Sequence, residues 1–239
     1  MKLLHLYHDI MNLYGDYANI SAMERLLKKS GIEFSTDRLS FSDSADLCSY
    51  DFIYIGSGTE KNRNIVLSDI HRYRDDLVRY IESGKVILMT GNSFEMLGRS
   101  ITTATGKIHK GLEIADFYTV EQNKTRVTGD AIFEASFLQK PLVGFINKCS
   151  EIEDLDEPLF TVDMGLGNRK NSDIEGFRRK NLFGTHLTGP VLIKNPHFLL
   201  YLAALIVGED TPLSSDHLAY ENAAFDITLK ELSALKTNA

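Results

Sequence analysis

Two short apolar runs constrain this chain more than any other feature. Phe52–Ile55 (FIYI) runs into Gly56-Ser57-Gly58, and Lys85–Thr90 (KVILMT) runs into Gly91. Runs of this length without polar alternation read as strands covered on both faces, and that burial belongs to parallel sheets flanked by helices. The neighbouring segments fit. Lys2–Tyr7 reads as a first strand and Ile32–Leu39 as a second. Asn19–Ser30 places Ile20, Met23, Leu26 and Leu27 at helical spacing, with Gly31 as its stop. Val66–Glu82 reads as a helix stopped by Gly84, and Asn92–Leu97 as the helix after KVILMT. The alternation predicts an α/β fold, a mostly parallel sheet with helices on both faces.

The middle of the chain reads differently. Leu112–Val120, Thr125–Gly129 and Leu142–Asn147 are β-rich and punctuated by turns, which predicts antiparallel or mixed strands added to the sheet. Asp154–Asn181 reads as a long loop with a hairpin, Phe183–Leu187 as a late strand and His197–Val207 as a helix on the core. A polar stretch, Glu209–Asp216, precedes an amphipathic helix over His217–Leu235. Residues 1–208 are thus expected to form one domain, with 209–239 a polar segment and helix packing on it.

Charge and composition narrow the partners. The 26 basic residues against 33 acidic ones leave a formal charge of −7, which argues against a general nucleic-acid binder. Cys48 and Cys149 form neither a zinc-ligand pair nor a disulfide framework, so no metal is expected. The longest apolar stretch, Phe198–Val207, is too short to span a bilayer, and His5, His8 and Asp9 interrupt the opening apolar run as no signal peptide would. A cytoplasmic protein without membrane insertion is expected.

Four segments carry chemistry. Leu6-Tyr7-His8-Asp9-Ile10-Met11-Asn12-Leu13-Tyr14-Gly15-Asp16-Tyr17-Ala18-Asn19 is a strand end, a polar turn and a helix start, the place where open α/β sheets line a ligand crevice. It also reads as a capped turn, with Asp16 or Asn19 on helix amides, and on spacing alone that reading comes first. Gly56-Ser57-Gly58-Thr59-Glu60 follows a strand and can turn amides toward an oxyanion. Met89-Thr90-Gly91-Asn92-Ser93-Phe94-Glu95-Met96-Leu97-Gly98 is a strand turning sharply into a helix, the form of a nucleophile elbow. The fourth runs from Phe183-Gly184-Thr185-His186-Leu187-Thr188-Gly189-Pro190 to Asn195-Pro196.

Together these segments resemble class I glutamine amidotransferase domains of the cobyric acid synthase and lipid II isoglutaminyl synthase type. That family opens with a tyrosine-rich strand and an Asn-Leu-Tyr-Gly-Asp turn. It carries a Gly-Gly-Gly-Gln-Asp turn for its oxyanion hole, a Cys-Gly-Gly-Tyr-Gln-Leu-Leu-Gly elbow and a Gly-Thr/Ser-Tyr-Leu-His-Gly-Pro segment. Weaker matches are Gly144-Phe145-Ile146-Asn147-Lys148 to Gly-Phe-Glu-Asn-His, Gly165-Leu166-Gly167-Asn168 with Glu175-Gly176, and Thr119, Arg126 and Gly129. The resemblance covers residues 1 to about 207 and implies a flavodoxin-like class I amidotransferase fold.

The losses fall on reactive positions. Gly91 stands at the nucleophile position in the ungapped alignment, and one inserted residue would put Thr90 there instead. The catalytic histidine falls on Thr188, although His186 lies two residues earlier and on the same strand face. Glu95 replaces the elbow glutamine. The resemblance implies an oxyanion or substrate site at Gly56, Ser57, Gly58 and Asn92, with Arg126 either gripping a substrate carboxylate through its fork or lying on the surface. Ser93 is either a replacement nucleophile or a helix cap, and His186 either its base or a satisfied histidine. Three functions stay open: a non-hydrolysing partner of a Mur-ligase-like or other synthetase subunit, an active amidotransferase using Ser93 or Thr90 with His186, and a binder of glutamine or a related amino acid. No cofactor is implied. Gly56–Gly58, Gly91–Ser93 and His186–Thr188 are expected to converge on one crevice, and Gly91→Cys with Thr188→His to rebuild the dyad.

Overall fold

A computed structural model of the chain describes residues 1–123 and 126–237. The first half winds through β1 (Lys2–Leu6), α1 (Tyr17–Lys29), β2 (Ser35–Leu39), β3 (Phe52–Ile55), α2 (Glu60–Ile70), α3 (Arg74–Glu82) and β4 (Val86–Thr90). Short strands follow: β5 (Ser100–Thr102), β6 (Ile108–Lys110), β7 (Tyr118–Glu121), β8 (Val127–Glu134), β9 (Leu142–Lys148), β10 (Ser150–Glu153), β11 (Phe160–Met164), β12 (Ile174–Glu175) and β13 (Phe177–Arg179). The chain then returns through β14 (Leu182–Thr185), β15 (Leu187–Thr188), α4 (Val191–Lys194), α5 (Pro196–Val207) and α6 (Ala219–Thr237).

The central sheet has the order β13-β14-β4-β3-β1-β2. Its pairings are parallel except at the β13 edge, so its parallel strands follow the flavodoxin-like order with β14 in fifth place. Each strand feeds two cores because successive side chains point to opposite faces. Leu4, Leu6, Ile53, Ile55, Ile87 and Met89 pack with α2 and α3. Leu3, Phe52, Tyr54, Val86 and Leu88 pack with α1 and α5 on the other face. The apolar runs over β3 and β4 are therefore covered on both sides, as their composition requires.

Several elements depart from the sequence reading. The helix expected over Val66–Glu82 starts earlier and is interrupted. Thr59 Oγ1 accepts from Asn62 N at 3.1 Å and caps α2, and a 3-10 turn over His71–Tyr73 separates α2 from α3. Its first turn is polar, so apolar periodicity alone misses it. Most of the added strands do not extend the central sheet. They form a four-stranded sheet, β10-β7-β5-β6, and a five-stranded sheet, β12-β11-β8-β9-β15. The β5–β6 hairpin lies where no strand was expected. Of the Leu112–Val120 segment only Tyr118 onward is strand, because the amides of Leu112 and Ile114 bond Met96 O and Leu97 O instead. Thr125, where one expected strand begins, lies outside the described residues.

The C-terminal helix packs on the same body. Phe225 and Leu232 join Ile132 and Val143 of the five-stranded sheet, while Arg25 pairs with Glu221 and Lys236 with Asp163. No helix among the described residues is long and apolar enough to cross a membrane.

Candidate functional site

The loops after β1, β3, β4 and β14 meet at the carboxyl edge of the central sheet, where open α/β sheets hold their ligands. Ser57, Gly58, Gly91, Asn92, His186 and Thr188 line one crevice there, so the three expected segments converge. Leu13 N donates to Ser57 O at 2.9 Å, tying the first turn to the second. Gly56 allows this approach, since a Cβ there would run into Met11 O and Asp16 Cβ.

The elbow keeps its shape without its side chain. Gly91 has φ of +61°, while Thr90 is extended at −114°. The left-handed conformation sits at 91, as the ungapped alignment would have it. A Cβ built on Gly91 would fall well inside 3.0 Å of Ser57 Cβ and 3.1 Å from Ser57 Oγ. The Ser57 side chain therefore fills the space into which an elbow side chain would project. It is held there: Asp16 Oδ2 accepts from Ser57 N at 2.6 Å and from Ser57 Oγ at 2.5 Å. Burial pushes the Asp16 carboxyl up to about 6 against these hydrogen bonds.

The amides meant for an oxyanion are also occupied. Asn92 Oδ1 accepts from Gly58 N at 3.1 Å, and Asn92 Nδ2 donates to Gly58 O at 2.9 Å. The crevice is partly open to solvent and narrow, with free space of about 10 Å³, room for about one water.

Both sequence candidates for catalysis are engaged in hydrogen bonds. Ser93 is fully buried and outside the crevice lining, and its hydroxyl donates to Thr90 O at 2.8 Å and Ile55 O at 3.1 Å. Those bonds brace the elbow. Thr90 Oγ1 is likewise taken, by Tyr54 Oη at 2.8 Å. His186 does reach the crevice, but its Nε2 lies 3.2 Å from Glu95 Oε1 and its Nδ1 3.3 Å from Glu175 Oε1, with the ring edge-on to Phe94. Its Nε2 is thus engaged, while its buried Nδ1 makes no hydrogen bond among the described residues. Thr188, where the resemblance puts the family histidine, donates to Phe145 O at 3.0 Å.

A buried ionic cluster lies beneath. Arg63, fully buried, pairs with Glu95 and with Glu121. Ser150 Oγ donates to Glu95 Oε1 at 2.5 Å. Burial alone would raise the Glu95 carboxyl, but the Arg63 charge, His186 and Ser150 outweigh it and hold the group at about 2. Glu175 accepts from Thr185 Oγ1 at 2.8 Å and His186 N at 2.7 Å. Asn168 and Gly176 exchange hydrogen bonds at 2.8 and 3.1 Å, so the Gly-x-Gly-Asn and Glu-Gly matches serve the scaffold.

Arg126 lines the crevice, but its fork is engaged by Glu60 and by Asn147 Oδ1. Cys149 lines it too, a residue the sequence analysis did not count among the candidates. Its Sγ donates to Glu60 Oε1 at 3.2 Å, and burial together with that carboxylate pushes the thiol up to about 12. The available signal was position: Cys149 follows Gly144-Phe145-x-Asn147 at the end of β9.

A family model for the CobB/CobQ-like glutamine amidotransferase domain matches residues 2–196. The chain belongs to this family. Among curated relatives of this CobB/CobQ-like domain is subunit GatD of lipid II isoglutaminyl synthase (glutamine-hydrolyzing) from Streptococcus pneumoniae (strain ATCC BAA-255 / R6). It is 29% identical over 245 residues, spanning 100% of this chain and 93% of the relative. The subunit of the same name from Staphylococcus aureus (strain N315) is 31% identical over 202 residues, 84% of this chain and 82% of the relative. A crystal structure of a glutamine amidotransferase superposes with a TM-score of 0.56 at 15% identity, covering 86% of this chain and 99% of that one, and supports the fold. In this CobB/CobQ-like domain the elbow turn is present as backbone, with its left-handed residue at Gly91.

Proposed function

We propose that this CobB/CobQ-like domain does not hydrolyse glutamine and acts as a binding subunit of a larger, Mur-ligase-like synthetase. One observation carries the reading: Ser57 occupies the space ahead of the side-chain-free elbow residue Gly91. Attack on an amide carbon needs a nucleophile at that point, and an imidazole to move its proton. The elbow carries no side chain, and Thr188 stands where the imidazole is expected. Asn92 on the Gly58 amide removes a donor that would stabilise the developing charge. The relatives named as subunits of lipid II isoglutaminyl synthase support a partnered role. The free thiols of Cys48 and Cys149 accord with a cytoplasmic setting.

The test is ammonia release from glutamine by the chain alone and with a Mur-ligase-like subunit encoded beside it. Release at buffer rates in both, together with co-elution of the two chains, is expected. Turnover abolished by Ser93→Ala or Cys149→Ala would sink the proposal. A crevice with room for about one water predicts no thermal shift with glutamine or glutamate.

A further inference from the structure

Beside the crevice lies a larger cavity of about 530 Å³, within the size range of small-molecule sites. It opens between the β9–β10 junction and the loop after β11. Val127 and Leu166 give it apolar wall, and Lys148, Arg169, Lys170 and Glu151 give it charge. The family crevice and this cavity share Lys148, which lines both.

Lys148 is the informative residue. Its side chain is 94% buried by virtue of a relative exposure of 6%, and its Nζ donates to Gly167 O at 2.6 Å and Asn168 O at 2.7 Å. An ammonium has three N–H donors, and among the described residues no third acceptor and no carboxylate within ion-pairing distance meets this one. Buried charges are ordinarily paired. Burial lowers this lysine to about 8, and the more distant charges of Glu175, Glu95 and Glu151 only partly oppose that shift.

The remaining charges set the ligand's valence. Arg169 is paired with Glu153, and Glu151 accepts from Lys170 N and Gln122 Nε2. Among the described residues, Lys148, Arg169 and Lys170 against Glu151 and the Glu153 paired to Arg169 leave a net single positive charge. That balance suits one carboxylate better than a phosphate dianion, and the apolar wall suits a hydrocarbon part. We propose that this cavity is a binding site for a small monocarboxylate with an apolar body, its carboxylate on Lys148 and its body against Val127 and Leu166. The site is separate from glutamine hydrolysis and does not depend on the presence or absence of that activity.

The test uses the full chain and three probes with one six-carbon tail: hexanoate, hexyl phosphate and hexanol. Occupancy is read as protection of the full chain from thermal unfolding, since a ligand that binds only the folded state raises Tm. Hexanoate should raise Tm saturably with concentration. Hexanol should not protect, and hexyl phosphate should protect more weakly. Lys148→Met should abolish protection. Because loss of a buried lysine can itself unsettle the fold, Lys170→Glu at the rim provides the second arm, and should raise the half-protecting hexanoate concentration about threefold or more. No protection by hexanoate, equal protection by hexanol, stronger protection by hexyl phosphate, or protection indifferent to Lys170→Glu in a folded variant would each overturn the assignment.

Discussion

Restoring the elbow cysteine tests whether Ser57 and Gly91 have exchanged space. Gly91→Cys introduces a side chain at φ of +61°, a conformation costing an ordinary residue about 1–2 kcal/mol. The new Cβ also enters the volume of Ser57 Cβ, and overpacking of this kind costs about 1–3 kcal/mol. The single change should therefore destabilise by about 2–5 kcal/mol, and adding Thr188→His leaves the overlap in place. The dyad thus cannot be rebuilt at positions 91 and 188 alone, because the obstruction lies on a third segment. Ser57→Gly removes the obstructing atoms but forfeits the Ser57 Oγ–Asp16 hydrogen bond. A double-mutant cycle by urea denaturation separates these effects. The Ser57→Gly, Gly91→Cys variant should be more stable than the sum of its parts by about 1–3 kcal/mol. Additivity within about 0.5 kcal/mol would refute the steric reasoning.

Two further outcomes follow from buried polar groups. Glu95 is held at about 2 against an ordinary 4.5, so its ionised form stabilises the fold by roughly 3 kcal/mol above pH 4.5, and this contribution is lost as pH falls toward 2. The stability gap between the parent chain and Glu95→Gln should accordingly shrink between pH 6 and pH 3 in urea titrations, and a gap independent of pH would contradict the ionic role. Asn195 accepts from Val143 N at 2.8 Å and donates to Val143 O and Val191 O at 2.9 Å, all buried, so Asn195→Ala should lower stability by about 2–4 kcal/mol. A loss below about 1 kcal/mol in the same assay would mean that water replaces these bonds.

The central sheet was legible because strand burial writes itself into composition: FIYI and KVILMT are apolar at every position, and both cores require it. The crevice was legible through its backbone, since glycines at 56, 58 and 91 mark turns whose geometry excludes side chains. What the sequence did not disclose was where polar side chains end. Ser93 and His186 carry the right chemistry, but one hydroxyl donates to two carbonyls and the imidazole lies between two carboxylates. Ile55 lies 38 residues from Ser93 and Glu95 lies 91 residues from His186, so spacing cannot announce these partners. The division of the added strands into two sheets escaped for the same reason, because pairing between short strands is a long-range property.

The packing of α6 has a consequence for the order in which the chain can fold during synthesis. Phe225 and Leu232 cover Ile132 and Val143, and Glu221 reaches back to Arg25, a pairing across 196 residues. At a ribosomal rate of about 5–20 residues per second, the five-stranded sheet waits several seconds for its cover after β9 has emerged. During that interval its apolar patch faces the cell, and exposed patches of that kind invite association with other nascent chains. The helix that lies beyond the family-matched region thus closes a window of vulnerability which the five-stranded sheet opens.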